Sequence, residues 1–231
     1  MYPIVAKHTV SFLLARIAYQ RFYQAVFRSS KAQENSWYLL SSVYILANFL
    51  KLSGYLEATP IHQCRGDTNE QPRIHLLDTF FALDLSKHLS NFVWETATSA
   101  LDREILLHHL LTLLLTGLCL SSNNTCLGIH IMPYMLWTNP LQHTTRTLHV
   151  LYPKATVTKI GFVLFMAQFF SLRVVAYPIF FIYPLLIDMR GALTAPVYAG
   201  AATLVLGIYG LQMFWFGKMV GILKRSISRK N

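Results

Sequence analysis

The sequence predicts an all-α protein, a polytopic transmembrane helical bundle of about six or seven spans. Three observations carry that expectation. Of 231 residues, 54% are hydrophobic and 13% charged, and the mean hydropathy of +0.40 is too apolar for an ordinary soluble domain. A membrane-crossing helix needs about 20 mostly apolar residues, and such windows recur along most of the chain with short polar breaks between them. The run from Leu101 to Ser121, LDREILLHHLLTLLLTGLCLS, then sets two adjacent histidines, His108 and His109, inside a segment that otherwise reads as membrane-buried. Ionisable side chains at that depth are costly and usually face a bundle interior or a cavity, so they are the first functional candidates.

Taken in order, residues 8 to 27 form the weakest candidate, because Arg16 and Arg21 interrupt them; this segment either spans or lies in the interface. It lacks the clean apolar core and small-residue site of a removable signal peptide. Trp37 to Leu56 reads as a span opened by Asn35 and Ser36 as helix-start signals. Glu57 to Arg73 is polar, holds Pro60, Gly66 and Pro72, and reads as a loop. His75 to Glu95 is the third span, with Asp78, Asp84, Lys87 and His88 as a heavy polar load. The histidine segment is the fourth, closed by SSNNT at Ser121 to Thr125. Leu127 to about Val150 is the fifth, with Pro140 expected to kink it. Lys159 to about Ile187 contains Pro178 and Pro184 and reads as a span with a broken or tilted end. Leu193 to Leu223 is the last, running into the basic tail KRSISRK.

The net charge of +10 is spread over loops and the tail instead of forming one basic stripe, so topology explains it and nucleic acid is not expected as a partner. Counting Lys and Arg near the span ends puts the C terminus in the cytosol. The sequon at Asn123 then falls on the lumenal side, close to the membrane. The three cysteines form neither a disulfide framework nor a metal-ligand spacing; Cys119 belongs to the bilayer, and Cys64 and Cys126 read as unpaired thiols. No metal is expected.

Depth turns scattered polar residues into a constellation. At ~1.5 Å of rise per residue, His108 and His109 lie roughly 9 to 11 Å in from Asp102, and His88 and His143 reach a similar level from the same side. Asp84 and His88, four residues apart, share a helix face, as do His108 and Thr112. A carboxylate beside an imidazole fixes its tautomer and raises its basicity, which suits a general base. Adjacent histidines diverge by about 100° on a helix, so one faces a cavity and the other a neighbouring helix. The structural alternatives are an Asp84–Lys87 ion pair, an inter-helix hydrogen bond at His143, and a packing or snorkelling role for Arg173.

These residues resemble the TLC-domain family, which includes ceramide synthases and a group of non-synthase relatives. The resemblance covers about Trp37 to Arg225. DREILLHHLLT at Asp102 to Thr112 looks like the family's paired-histidine motif, supported by FFALDLSKHL at Phe80 to Leu89, FFSLRV at Phe169 to Val174 and LQMFWFGKMVGILK at Leu211 to Lys224. The family fold is a helical bundle enclosing a central cavity. In ceramide synthases the paired histidines serve acyl transfer from coenzyme A to a sphingoid amine, together with a pair of aspartates in the following span. Here that stretch, PYMLWTNPLQHTTRTLH, has no acidic residue, and its T-N-P-L order with Arg146 is more similar to the non-synthase pattern.

The resemblance therefore implies a protein of lipid metabolism or membrane-lipid homeostasis that holds an acyl chain or lipid in an intramembrane cavity. The alternatives are an acyl-CoA-dependent N- or O-acyltransferase and a non-catalytic membrane subunit or trafficking factor. His108 and His109 are the candidate catalytic pair, with Asp84 and His88 in support; Thr112, Asn139, His143, Arg146, Arg173 and Gln212 are the candidate lipid- or acyl-binding residues. No bound cofactor is expected, with acyl-CoA as co-substrate if the protein is an enzyme. Membrane lipids are the expected partners, alongside a homodimer or a membrane-protein partner, in the endoplasmic reticulum or another endomembrane. The chain divides into an N-terminal helix and linker (1–34), the TLC-like domain (35–225) and a basic tail (226–231).

Overall fold

The computed structural model describes residues 2–23, 30–52, 71–98, 103–122 and 124–228. The linker at 24–29, most of the expected loop after Leu56, residues 101–102, the sequon residue Asn123 and the end of the tail at 229–231 lie outside them, as do the side chains of Cys64 and Cys126. All described secondary structure is helical: α1 (Tyr2–Tyr23), α2 (Ser30–Leu50), α3 (Gln71–Ala97), α4 (Arg103–Ser121), α5 (Thr125–Leu136), α6 (Asn139–Leu151), α7 (Thr156–Ile187) and α8 (Ala195–Ser228). The helices α2, α3, α4, α8, α7 and α6 pack successively into a ring that closes from α6 onto α2. Helix α1 lies along α3, and the short α5 touches α2, α3, α4 and α7, filling part of the space inside.

Around a buried apolar core, the distribution of side chains departs from that of a soluble protein. Arg16, Asp84, Lys87, Asn91, Glu95, Arg173 and Gln212 are buried, whereas Leu114, Leu164, Phe180 and Ile187 are exposed on outer faces. In water that arrangement costs twice; in a bilayer it is the stable one, because lipid covers apolar faces and polar groups need partners inside. Among the described residues, α4, α7 and Ala195–Ser226 of α8 are long and apolar enough to cross a membrane. The polar load of α3 and the division of the fifth span into α5 and α6 set those elements apart by the same measure.

Four boundaries differ from expectation for identifiable reasons. Helix α2 starts at Ser30, so Asn35 and Ser36 lie inside it. Its polar first turns are consumed by α1: Gln33 Nε2 donates to the Gln20 carbonyl at 2.6 Å and the Tyr19 hydroxyl to Ser36 Oγ at 2.6 Å. Helix α3 starts at Gln71, which brings Pro72 and Arg73 into its first turn; there the missing proline N–H is free anyway. The fifth span does not merely kink at Pro140 but separates at Trp137 and Thr138, since the Pro140 ring would clash with the carbonyl of Leu136, the last residue of α5.

The fourth difference is in α7, which does not break after Pro178. It runs to Ile187 through π-helical turns at Phe170–Ala176 and Pro178–Ile182. The Tyr177 N–H reaches back five residues to the Leu172 carbonyl, and the Tyr183 N–H to the Pro178 carbonyl. In an α-helix, residue 178 would donate to the carbonyl of Val174, and proline has nothing to donate. The Tyr209 hydroxyl on α8 donates to that carbonyl instead, at 3.3 Å. One position also requires glycine: a Cβ on Gly128 would sit 2.5 Å from the Phe81 ring and 3.2 Å from Cys119 Sγ, so α5 presses directly on α3 and α4 there.

Candidate functional site

Helix α3 carries Asp84, His88, Asn91 and Glu95 at spacings of four, three and four residues, which align on one helix face. That face meets α4, and His109 closes a line of titratable groups across the interface. His88 Nδ1 lies 3.1 Å from His109 Nδ1. His109 Nε2 is 3.4 Å from Glu95 Oε1, and His88 Nε2 is 3.8 Å from Asp84 Oδ1. The Tyr38 hydroxyl on α2 donates to the same Glu95 Oε1. The order in space is thus Tyr38, Glu95, His109, His88, Asp84, with Lys87 Nζ 3.9 Å from Asp84 Oδ1. Asp84 is 1% exposed, yet its Oδ1 has no hydrogen-bond partner.

His108 points the other way, as the 100° divergence requires. Its ring stands edge-on to Trp215 of α8, with centroids 5.4 Å apart, and its Nδ1 is buried without a hydrogen bond. Here it lines a cavity of ≈ 60 Å³. Its polar lining comes from Asp84, His88, His108, Thr112, Thr116, Asn139 and Arg173, and its apolar lining from Phe81, Leu115, Met132 and Ile208 among others. That volume holds a few water-sized groups, well under the about 300–1,000 Å³ of a drug-sized ligand site. A small polar group fits; a larger ligand requires the helices around it to part.

Arg173 reaches the cavity from the π-helical run of α7. Its Nη1 donates to Gln212 Oε1 on α8 at 3.1 Å, and its Nη2 donates to the Met135 carbonyl at 2.8 Å and to Asn139 Oδ1 at 2.6 Å. The guanidinium also lies over the Phe169 ring, 5.1 Å from its centroid. One cation therefore ties together α5, α6, α7 and α8. A second, Arg16 of α1, is 1% exposed and donates to Asn91 Oδ1 at 3.1 Å and Glu34 Oε1 at 3.3 Å. It lies 5.1 Å from the Tyr38 ring centroid and 4.9 Å from that of Trp94.

The structure brings Asp84, His88, His108, Thr112, Asn139 and Arg173 to one cavity. His109 lies behind it against α3, and Gln212 reaches it through Arg173. His143 stands apart: its ring stacks on Tyr38, centroids 5.4 Å apart. Arg146 is exposed and lines no part of the cavity. Sequence reasoning missed Tyr38, Glu95, Asn91, Arg16 and Trp215. The 4-3-4 polar spacing along α3 could have found Asn91 and Glu95, since a span ending at Glu95 was already in view. Tyr38, Arg16 and Trp215 come from other helices, and only packing reveals them.

The carboxylates beside the histidines, Asp84 and Glu95, both belong to α3. Among the described residues no group of three or more His, Cys, Asp or Glu is arranged to hold a metal ion. What the arrangement offers chemically is acid–base: imidazoles connected to carboxylates in a site shielded from water. The family model described as TLC domain matches residues 31–221. No curated protein matches the chain.

Proposed function

The chain belongs to the TLC-domain family, membrane proteins of lipid metabolism and homeostasis, and on that premise we propose that it binds a lipid with its polar end in the His88–His108 cavity and acts in membrane-lipid homeostasis. The observation that supports this reading is the mixed lining of the cavity, with Asp84, His88, His108 and Arg173 alongside Phe81, Leu115 and Met132. The acyl chain lies between helices beyond the cavity. Mass spectrometry of lipids copurifying with the full chain tests it. A lipid retained by the native protein and lost from an Asp84→Asn/His108→Gln double variant is the expected result; an unchanged lipid profile sinks the reading.

A second reading, N- or O-acyl transfer from acyl-CoA, is favoured by the contact of His109 with Glu95. In that step the acceptor amine or hydroxyl attacks the thioester carbonyl, a C–N or C–O bond forms, the C–S bond breaks, and coenzyme A leaves as the thiol. The acceptor proton passes to an imidazole. A base of this kind contributes typically ~10² to 10⁴ in rate, so purified protein given acyl-CoA with amines or lysolipids should form product, and a His108→Ala/His109→Ala variant should lose nearly all of it. Absence of histidine-dependent product removes the enzymatic reading and leaves lipid binding untouched.

The protein resides in the endoplasmic reticulum or another endomembrane with its C terminus in the cytosol, in keeping with Lys218, Lys224 and Arg225 near the end of α8. Protease protection of a C-terminal tag in sealed microsomes contradicts that orientation; cleavage supports it.

A further inference from the structure

We propose that the outer face of α8 near its C-terminal end is a second lipid site, which takes an anionic glycerophospholipid with its headgroup between Lys218 and Arg225 and an acyl chain over Gly217. It lies apart from the histidine cavity and does not depend on the lipid-binding reading of that cavity.

Helical spacing brings the parts together. At about 100° per residue, Phe214, Gly217, Lys218, Gly221 and Arg225 fall within one arc of α8, opposite the buried Val205, Ile208 and Gln212. That outer face is a groove of ≈ 650 Å³ lined by α8. Phe214 and Ile222, both exposed, give it apolar walls. Its floor is glycine: a Cβ on Gly217 would meet no neighbouring atom within 4 Å, and one on Gly221 would meet the Arg225 guanidinium at 3.6 Å. Arg225 therefore folds back over the groove instead of extending away from it. An acyl chain can lie against the backbone where a larger side chain would hold it off.

Charge selects the headgroup. Lys218 Nζ lies over the Phe214 ring, 4.7 Å from its centroid, and pairs with Glu104 at the start of α4. Arg225 and Lys224, the latter about 20° from Gly217 around the helix, have no acidic partner among the described residues. The groove thus keeps a positive surplus that an anionic lipid neutralises and a zwitterionic one does not. Depth agrees with this. Helix α4 has 19 residues, roughly 28 Å of rise, and so just spans a hydrocarbon core of about 30 Å. Glu104, in its first turn, marks the edge of that core, and its ion pair puts Lys218 there too. Folded back to the level of Gly221, the Arg225 guanidinium lies about 5 Å further out, within the headgroup layer. A phosphate there meets both cations, with Arg225 able to hold two of its oxygens at once.

The test uses the full chain in nanodiscs of phosphatidylcholine and phosphatidylserine in equal amounts, with the lipids retained on the released protein counted by native mass spectrometry. The native chain should retain phosphatidylserine over phosphatidylcholine by about 5-fold or more, since each basic residue at a membrane surface contributes about 5-fold. Arg225→Gln should lower that preference by about 5-fold. Gly217→Leu keeps every charge and fills the floor of the groove; the open space at that position accommodates the side chain, and retention of phosphatidylserine should fall several-fold. Diffuse attraction to the basic end of α8 would respond to Arg225→Gln and not to Gly217→Leu, and that pattern overturns the proposal, as does equal retention of the two lipids. A doubled mass that Gly217→Leu returns to a single chain gives the groove to a second copy and also overturns it. The Asp84→Asn/His108→Gln variant separates the two sites: an unchanged phosphatidylserine preference supports the groove, whatever becomes of the cavity reading, and its loss would move the retained lipid to the cavity and overturn the groove.

Discussion

His88 and His109 face each other through their Nδ1 atoms, 3.1 Å apart, where α3 meets α4. Two nitrogens at that distance share one proton, so the state of either ring dictates the other. The pair is consequently coupled in energy as well as in space. The single variants His88→Ala and His109→Ala and their combination should show an interaction term of about 0.5–3 kcal/mol in a double-mutant cycle, read from unfolding in detergent. Simple additivity would mean that the contact does no energetic work.

Arg173→Lys should be far from conservative. The guanidinium donates from Nη1 and Nη2 to three acceptors on three helices, and a lysine ammonium cannot reproduce that planar fork. Leaving Gln212, Asn139 and the Met135 carbonyl short of a donor should cost about 2 kcal/mol or more, measured as a lowered thermal midpoint in detergent. A midpoint equal to the native one would show that water or rearrangement replaces those bonds.

Tyr209→Phe isolates a single hydroxyl. The carbonyl of Val174, left open by Pro178, would lose its donor, at a cost of roughly 1 kcal/mol for a partly buried acceptor. Hydrogen exchange of the amides in Phe170–Ile182 should accelerate in the variant. Identical exchange would mean that the π-helical run holds itself without α8.

Arg16→Met tests how α1 is held. The substitution preserves much of the stem but removes the donors to Asn91 and Glu34 and the cation between Tyr38 and Trp94. The loss should be about 1–3 kcal/mol, concentrated on α1, so limited proteolysis should cut the N-terminal segment before the rest of the bundle. Uniform digestion would place the stability of α1 elsewhere, for instance in the Ser86 hydroxyl, whose proton is shared between the Ala82 and Val5 carbonyls at 2.5 and 3.0 Å.

The fold class and the heart of the site were legible along the chain because they depend on local quantities. Composition and apolar windows announced a helical membrane protein, and the isolation of His108 and His109 in an apolar run pointed to the candidate cavity that His108 lines. The 100° divergence assigned one ring to the cavity and the other to a neighbouring helix. Element ends were less legible: Ser36 looks like a cap when its partner, Tyr19 on α1, is out of view, and Pro178 looks like a break when Tyr209 is unknown.

Sequence by itself determined that polar groups would be buried in a membrane bundle and which helix faces would carry them, since helical spacing and hydropathy are properties of one segment at a time. Tertiary structure decided who answers whom: that Glu95 meets His109, that Tyr38 meets Glu95, and that Arg173 is spent on Gln212, Asn139 and a carbonyl. The physical reason is that a buried polar group must find its partner across a helix interface. That pairing depends on which of several helices lies next to it, and no single segment encodes its neighbour.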